Sequence, residues 1–322
     1  MRQSISQLSS GVTIAGEFFA VQDVKVQSKK DGAPYLRARL RDATGTLDAV
    51  SWEEFDKRLD ILRVGRVVKV RGPVGKAYNG TGLELTIAQV RPASHEEYQI
   101  ADFLPRSDQP TATLRDELDV LLTSTRQPLQ AAIRAALDPE LARFALWPAA
   151  QEIHHAWLGG LLEHSLEVTR LAIAIADVVP NLDRDLLIAG ALLHDIGKLD
   201  AYDVDASFRA SDAGRLLGHV LAGFHRVQVA CQRVELPNDE CLRLLHIVAS
   251  HHGQLAFGAA REPMIPEAIV IHYADELSAQ LMQMRDATGR APDGARWTER
   301  VKGLGRDVFL GTTLSPLHGG EG

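Results

Sequence analysis

The chain has 322 residues, of which 45% are hydrophobic and 24% are charged. This composition is typical of a soluble globular protein with about two domains, and it excludes a chain that is disordered throughout. Cys231 and Cys241 form no Cys-x-x-Cys pattern, which argues against a zinc ribbon or a disulfide framework. The sequence shows no apolar signal core and no apolar stretch that could span a membrane, so we expect a cytoplasmic protein.

Charge is distributed unevenly along the chain. Residues 1–92 carry 15 Lys and Arg against 10 Asp and Glu, a balance of +5, whereas residues 93–322 carry 20 against 32, a balance of −12. A basic part joined to an acidic part indicates that the first attracts a polyanion and that the second, rich in carboxylates, can hold cations.

Residues 1–92 have the pattern of a small all-β barrel. Phe55, Leu59 and Leu62 recur at helical spacing between the third and fourth of five β-rich runs. These runs are GVTIAGEFFAVQDVKVQSKK, PYLRARLRD, GTLDAVSW, GRVVKVRGPVGKAY and GLELTIAQV. Three strands, a helix and two strands resemble the oligonucleotide/oligosaccharide-binding (OB) barrel, which binds single strands across its second and third strands.

The second of these runs alternates strictly between apolar and polar residues. Leu36, Ala38 and Leu40 are expected to face the core, and the residues between them to point outward. Single-strand grooves combine cations with aromatic rings. We therefore predict substrate contacts from Tyr35, Arg37, Arg39, Trp52 and Lys76, with Lys69, Arg71 and Tyr78 as further candidates. The alternative is that the arginines only solvate an exposed sheet face and that Trp52 fills the barrel.

Beyond the barrel the sequence predicts helices. Residues 93–150 begin with the polar, proline-interrupted ASHEEYQIADFLPRSDQPTAT and are predicted as a linker followed by connecting helices. Residues 151–288 are predicted as an all-α domain, and residues 289–322 as a C-terminal tail whose end, GTTLSPLHGGEG, we expect to be disordered.

The predicted helices of residues 151–288 share an unusual feature, because each carries a metal-competent side chain on its apolar stripe or directly after it. These side chains are His164, the pair His194 and Asp195, His219, His251 followed by His252, and Asp275. One histidine on an apolar face is usually a hydrogen-bonded core residue, but five helices with this feature are poorly explained that way. A bundle core that converges on a cation explains them. It also explains Asp195, because a buried carboxylate needs a compensating charge.

The order His164, His194-Asp195, Asp275 resembles the HD phosphohydrolase superfamily, an all-helical, metal-dependent fold. The strings HHAWLGGLLEH, GALLHDIGK, LLGHVLAGF, ASHHG and EAIVIHYADEL, together with the OB barrel, resemble the YhaM-type 3′→5′ exoribonucleases in particular. This resemblance implies a divalent-metal nuclease that shortens single-stranded RNA from the 3′ end and releases nucleoside 5′-monophosphates. Single-stranded DNA stays open as a second substrate.

Imidazole and carboxylate ligands favour Mn, Fe, Co, Ni or Zn over Mg, and we expect Mn2+. We assign a first ion to His164, His194, Asp195 and Asp275, and a second to Asp195, His219 and His251 with His252 nearby. Two such ions about 3.5–4 Å apart activate water and stabilise both the attacking and the leaving oxygens. Whether one or two ions bind, and which of His251 and His252 is the ligand, stays open.

Three further residues are candidates outside this ligand set. Lys198 is predicted to neutralise the scissile phosphate or to help protonate the leaving group, the alternative being an ordinary lysine that interacts with a helix dipole. His154 and His155 are weaker candidates for substrate contact.

Three functions remain open at this point. The chain can be an exoribonuclease whose barrel delivers the strand, an HD phosphohydrolase of mononucleotides or signalling nucleotides with a regulatory barrel, or a nucleic-acid-binding protein with a catalytically silent HD domain. The complete set of candidate ligands argues against the third function, and the basic strip favours a polymer over a mononucleotide. A homo-oligomer is compatible with the sequence, which does not fix the oligomeric state.

Overall fold

The computed structural model describes residues 3–77, 82–151, 155–205, 207–292 and 294–311. Tyr78, His154 and the tail from residue 312 onward therefore lie outside the described residues. The chain forms two compact units, Met1–Arg106 with Val204–Arg209 and Ser107–Asp203 with Ala210–Gly322. Among the described residues, no helix is long and apolar enough to cross a membrane.

The first unit is an all-β barrel. Its elements are β1 (Thr13–Ser28), β2 (Pro34–Asp42), β3 (Gly45–Ser51), α1 (Phe55–Ile61), β4 (Val67–Lys76), β5 (Leu83–Thr86) and β6 (Gln89–Pro92). The order β1-β2-β3-β5-β4 closes through pairing of β1 with β4, and β3 and β5 run parallel. The OB barrel predicted from the sequence is confirmed.

The last predicted strand is divided in two. The sequence predicts one strand over residues 82–90, whereas β5 ends at Thr86 and β6 begins at Gln89. The carbonyls of Ile87 and Ala88 between them accept hydrogen bonds from the Arg58 guanidinium at 2.8 and 2.9 Å. Arg58 lies on α1 and is only 4% exposed. The buried guanidinium needs hydrogen-bond acceptors, and because it takes these two carbonyls the strand is interrupted there. The alternation of residues along the strand does not predict this interruption.

The segment after β6 packs on the barrel as far as Arg106, although the sequence predicts a linker from residue 93 onward. Phe103 is fully buried and clusters with Ala20 and Val67. The carbonyl of Asp102 accepts a hydrogen bond from the backbone N–H of Ala43 at 2.9 Å. Burial of one aromatic ring thus holds this polar segment against the sheet.

The second unit is helical, as predicted. Its helices are α2 (Thr111–Ser124), α3 (Leu129–Leu137), α4 (Leu141–Phe144), α5 (Gly160–Val178), α6 (Arg184–Leu193), α7 (Lys198–Ala201), α8 (Asp212–Leu216), α9 (Gly218–Arg233), α10 (Asn238–Ser250) and α11 (Pro266–Arg290). A short hairpin, β7 (Tyr202–Val204) and β8 (Phe208–Ala210), lies between α7 and α8. Helix α6 is buried on every side from Leu186 to Leu193 and is the centre of the core.

The segment RLLGHVLAGFHRVQVAC, whose stripe is expected to include Leu216, forms two helices instead of one. Gly218 adopts a φ of +74° and starts α9, so Leu216 belongs to α8 and is 83% exposed. The left-handed backbone at this glycine redirects the chain. Val220 and Val227, on the same predicted stripe, are buried.

Candidate metal centre

Two ionisable side chains lie where the central helix ends. His194 and Asp195 follow α6 directly and are 0% and 2% exposed. Because α6 is enclosed by the other helices, its end brings these groups to the middle of the helical unit.

The first cluster of side chains surrounds one oxygen of Asp195. His164 Nε2, from α5, lies 3.3 Å from His194 Nε2 and 3.1 Å from Oδ1 of Asp275 on α11. Asp195 Oδ2 lies 3.5 Å from His164 Nε2 and 3.3 Å from His194 Nε2. The structure therefore brings together the four side chains assigned to a first ion.

The second cluster surrounds the other oxygen. Asp195 Oδ1 lies 3.4 Å from His219 Nε2 and 3.7 Å from His251 Nε2. His252 Nε2 is 3.2 Å from His219 Nε2, and the three imidazoles form a group of potential metal ligands. Asp195 thus presents one oxygen to each cluster.

Backbone carbonyls orient three of these imidazoles. The Nδ1 atoms of His194, His251 and His252 lie 2.7, 2.8 and 2.6 Å from carbonyl oxygens. The acceptors are, in the same order, Ala191, Val248 and Phe257. A carbonyl only accepts, so each Nδ1 carries the proton and each Nε2 offers a lone pair. This is the arrangement that orients histidines for metal binding.

The donor atoms fit a divalent cation. Asp195 Oδ1 and His251 Nε2 are buried and have no hydrogen-bond partner within the described part of the chain. Burying a carboxylate oxygen without a partner is unfavourable, and a bound cation would offset that cost. Imidazole nitrogens combined with carboxylate oxygens suit a transition-metal ion or Zn2+ better than Mg2+.

Burial keeps most of the imidazoles in the neutral form that binds metals. It lowers the pKa of His164, lowers that of His219 to about 4, and takes that of His251 well below its ordinary value. Burial also lowers the pKa of His194, but the charges of Asp195 and Asp275 outweigh it and raise that pKa. The centre therefore offers neutral nitrogen ligands at His164, His219 and His251 beside the ionised carboxylates of Asp195 and Asp275.

Lys198 belongs to the same buried group. It opens α7, is 7% exposed, and its ammonium donates a hydrogen bond to Asp195 Oδ2. Burial opposes ionisation of Asp195, but the charges of Lys198 and His194 hold its pKa well below the ordinary value. The predicted contact of Lys198 with substrate phosphate stays a prediction.

His155 is buried more deeply than a residue that contacts substrate needs to be. It is fully buried at a φ of +55°, with its Nε2 3.3 Å from Glu167 Oε2 and its ring centre 5.1 Å from that of His164. It packs behind a metal-site imidazole, and its predicted contact with substrate stays a prediction. Glu167, which lies one helical turn after His164, was not among the residues predicted from the sequence.

The outer face of β2 carries a stacked aromatic pair. The rings of Tyr35 and Trp52 lie 4.5 Å apart at 26°, and Trp52 is 43% exposed rather than buried in the barrel. The ammonium of Lys29 lies 5.9 Å from the Trp52 ring centre. Two rings and a cation offer the stacking surface that single-strand binding uses.

The two predicted arginines have acidic partners, one on the adjacent strand β3 and one on β5, which lies beyond β3. Arg37 pairs with Glu84 of β5 at 2.7 Å, and Arg39 with Asp48 of β3 at 3.0 Å. Lys76 is exposed at the end of β4. The other basic candidates lie apart from this face, in a cavity of about 400 Å³ lined by Ala15, Gly16, Lys69, Arg71, Gln89, Val90 and Arg91.

Gly197, two residues after Asp195, sets the distance to α9. A Cβ atom there would lie 2.0 Å from the His219 carbonyl and 2.4 Å from the Gly223 nitrogen. Its φ of −66° suits any residue, so the requirement is one of space alone. Gly197 was not among the residues predicted from the sequence, although its position in HDIGK was a signal.

Gly197→Ala is expected to reduce hydrolysis about tenfold or more while the fold survives, because overpacking costs roughly 1–3 kcal/mol and pushes His219 away from Asp195. Gly289→Ala on α11 is the matched control, since its Cβ would meet nothing within 4 Å. Activity and bound metal per chain are measured for both variants. Equal activity of the two would mean that the close approach at Gly197 does not position His219.

Comparison of this chain with known protein families and proteins agrees with the two-domain architecture. Residues 161–280 match the HD domain model, and residues 12–93 match the model of an OB-fold nucleic acid binding domain. The chain is 32% identical over 300 residues to the 3′-5′ exoribonuclease YhaM of Bacillus velezensis, covering 92% of this chain and 95% of that protein. The chain belongs to the YhaM family. The YhaM of Bacillus subtilis is 33% identical over 286 residues, which cover 88% of this chain and 90% of that protein.

Proposed function

We propose that this chain is a metal-dependent 3′→5′ exoribonuclease that degrades single-stranded RNA to nucleoside 5′-monophosphates. The main observation behind the proposal is that Asp195 lies between two groups of imidazoles in a chain that also contains an OB barrel. The YhaM relatives, named as 3′-5′ exoribonucleases, support it.

We propose Mn2+ as the metal, with one ion at His164, His194, Asp195 and Asp275 and a second at Asp195, His219, His251 and His252. Bound ions would supply an activated water and neutralise charge on the phosphodiester. The carbonyl contacts of the imidazoles and the ion pair of Asp195 with Lys198 hold the ligands in place.

The pairing of Lys198 favours one of its two predicted roles. Burial lowers its pKa, but Asp195 outweighs this effect and raises the pKa overall. A lysine with a raised pKa is a poor proton donor, so we propose that Lys198 supplies positive charge near the scissile phosphate rather than a proton to the leaving oxygen.

We propose that the barrel holds the single strand through Tyr35 and Trp52. Stacking uses the faces of the bases, which RNA and DNA share, so we also propose single-stranded DNA as a second substrate. We propose a cytoplasmic location because Cys231 and Cys241 are free thiols, as in reducing compartments.

The test is an assay with linear, 5′-labelled RNA and with a circular RNA of the same sequence. Chelated protein supplied with Mn2+ should shorten the linear strand progressively, release nucleoside 5′-monophosphates and leave the circle intact. Cleavage of the circle would indicate an endonuclease. Hydrolysis of a mononucleotide panel without attack on RNA would favour the alternative HD phosphohydrolase.

We further propose that the chain forms a homo-oligomer through α11. The outward face of a surface helix is ordinarily polar, but this one carries an apolar stripe. Its members, with their exposed fractions, are Ile269 (46%), Tyr273 (64%), Leu277 (45%) and Leu281 (49%). The even spacing of four residues is self-complementary, because an antiparallel twofold pairing matches the first member with the last.

Light scattering should therefore give at least twice the mass of one chain, and Leu277→Asp should shift it toward a single chain by placing a charge inside the contact. Val178→Asp, at an exposed position at the end of α5, is the matched control. A monomeric wild-type protein at micromolar concentration would contradict this proposal.

A further inference from the structure

A cavity of about 380 Å³ opens beside the second histidine cluster. Its lining consists of Leu217, Gly218, His219, Val220, Leu221, His252, Gly258 and Ala260. The two imidazoles in this wall have Nε2 atoms 3.2 Å apart, and His219 Nε2 lies 3.4 Å from Asp195 Oδ1. The cavity is therefore continuous with the metal centre.

The lining indicates an uncharged, largely apolar occupant. No lysine, arginine, aspartate or glutamate is among the lining residues, so the wall offers no charged side chain to a phosphate. The lining residues with apolar side chains are Leu217, Val220, Leu221 and Ala260. The volume is at the lower end of the range of small-molecule pockets, about 300–1,000 Å³, which suits one nucleoside rather than an oligonucleotide.

We propose that this cavity is the subsite for the nucleobase of the 3′-terminal nucleotide. The inference rests on the proposed exoribonuclease function. In that reaction water attacks phosphorus, the bond from phosphorus to the upstream 3′ oxygen breaks, that oxygen takes a proton, and the phosphate stays on the released nucleotide. A phosphate bound by cations held at Asp195 and His219 would therefore keep its own nucleoside next to the cavity.

The chemistry of the wall also predicts which bases it accepts. Apolar side chains contact the faces of a base, which all four bases share, whereas discrimination requires polar groups at the base edges. Among the described residues that line the cavity, none has an amide or carboxylate side chain. The subsite is therefore expected to accept all four bases with similar efficiency.

The test compares an RNA that has a normal 3′-terminal nucleotide with one whose terminal nucleotide lacks its base. For the wild-type holoenzyme, kcat/KM should fall about tenfold to a hundredfold on removal of the base, as expected for losing burial of one apolar group. The four natural bases should differ by less than about threefold. Equal rates on the normal and abasic ends would overturn the proposal.

Ala260→Trp should fill the cavity from its exposed rim, slow hydrolysis of the normal end and abolish the difference between the two ends. Ala256→Trp is the matched control, because Ala256 is exposed in the neighbouring turn Leu255–Phe257 and does not line the cavity. It should behave as wild type. Leu221→Ala, at a 52% exposed position, should weaken the base effect without adding bulk.

Calorimetry separates failure of the subsite from failure of the proposed function. The Mn2+-loaded protein should bind adenosine 5′-monophosphate about tenfold more tightly than ribose 5-phosphate, and Ala260→Trp should remove that difference. Preserved discrimination without RNA hydrolysis would overturn the function and keep the subsite. Equal binding of the two ligands would overturn the subsite even if RNA is degraded.

Discussion

Asp195→Asn is expected to abolish RNA hydrolysis, with a loss of at least about a thousandfold, the scale seen when a charge-stabilising group is removed from a catalytic site. Asparagine keeps the shape of the side chain but replaces the carboxylate that faces both imidazole clusters. Bound metal per chain, measured by elemental analysis, should fall together with activity.

The matched control is Asp177→Asn, at an exposed carboxylate of α5 paired with Arg184. This variant should keep wild-type activity and metal content. Circular dichroism is expected to show the same helix content in both variants. Wild-type metal content and activity in Asp195→Asn would place the reaction elsewhere in the chain.

Trp52→Ala is expected to weaken binding of long single-stranded RNA about tenfold or more, because one base–aromatic stack contributes roughly 1–3 kcal/mol. Tyr35 loses its ring partner in the same variant. Hydrolysis of a dinucleotide should change much less, since the metal centre is built from other residues. Fluorescence anisotropy with labelled RNA measures the binding.

Trp297→Ala provides the comparison for this variant. Trp297 is also exposed, at 57%, and also contacts an aromatic ring, that of Phe309, but it lies outside the barrel. Its replacement should leave RNA affinity unchanged. If both variants bind long RNA like wild type, the outer face of β2 is only a solvated sheet surface.

The positions of the metal-site residues could be predicted because helical periodicity and burial are coupled. His164 and Asp275 lie on apolar stripes, and His194 follows an apolar run, so these residues had to face a shared core. The strict alternation of β2 likewise predicted which face Arg37 occupies. These patterns depend on local geometry alone.

Contacts between distant segments could not be predicted in this way. The pairing of Arg37 with Glu84 depends on the parallel alignment of β3 and β5, which no local pattern encodes. Because of that pairing, the β2 face is less cationic than its sequence indicates. The capture of strand carbonyls by Arg58 likewise depends on how the elements pack, not on either segment alone.

The most direct test of the two-ion centre is anomalous diffraction from crystals of the protein loaded with Mn2+. Two peaks about 3.5–4 Å apart are expected, one on each side of Asp195. The first should be bound by His164, His194 and Asp275, and the second by the histidines of α9 and the end of α10. A single peak, with His219 and His251 hydrogen-bonded to protein groups, would contradict the two-ion centre.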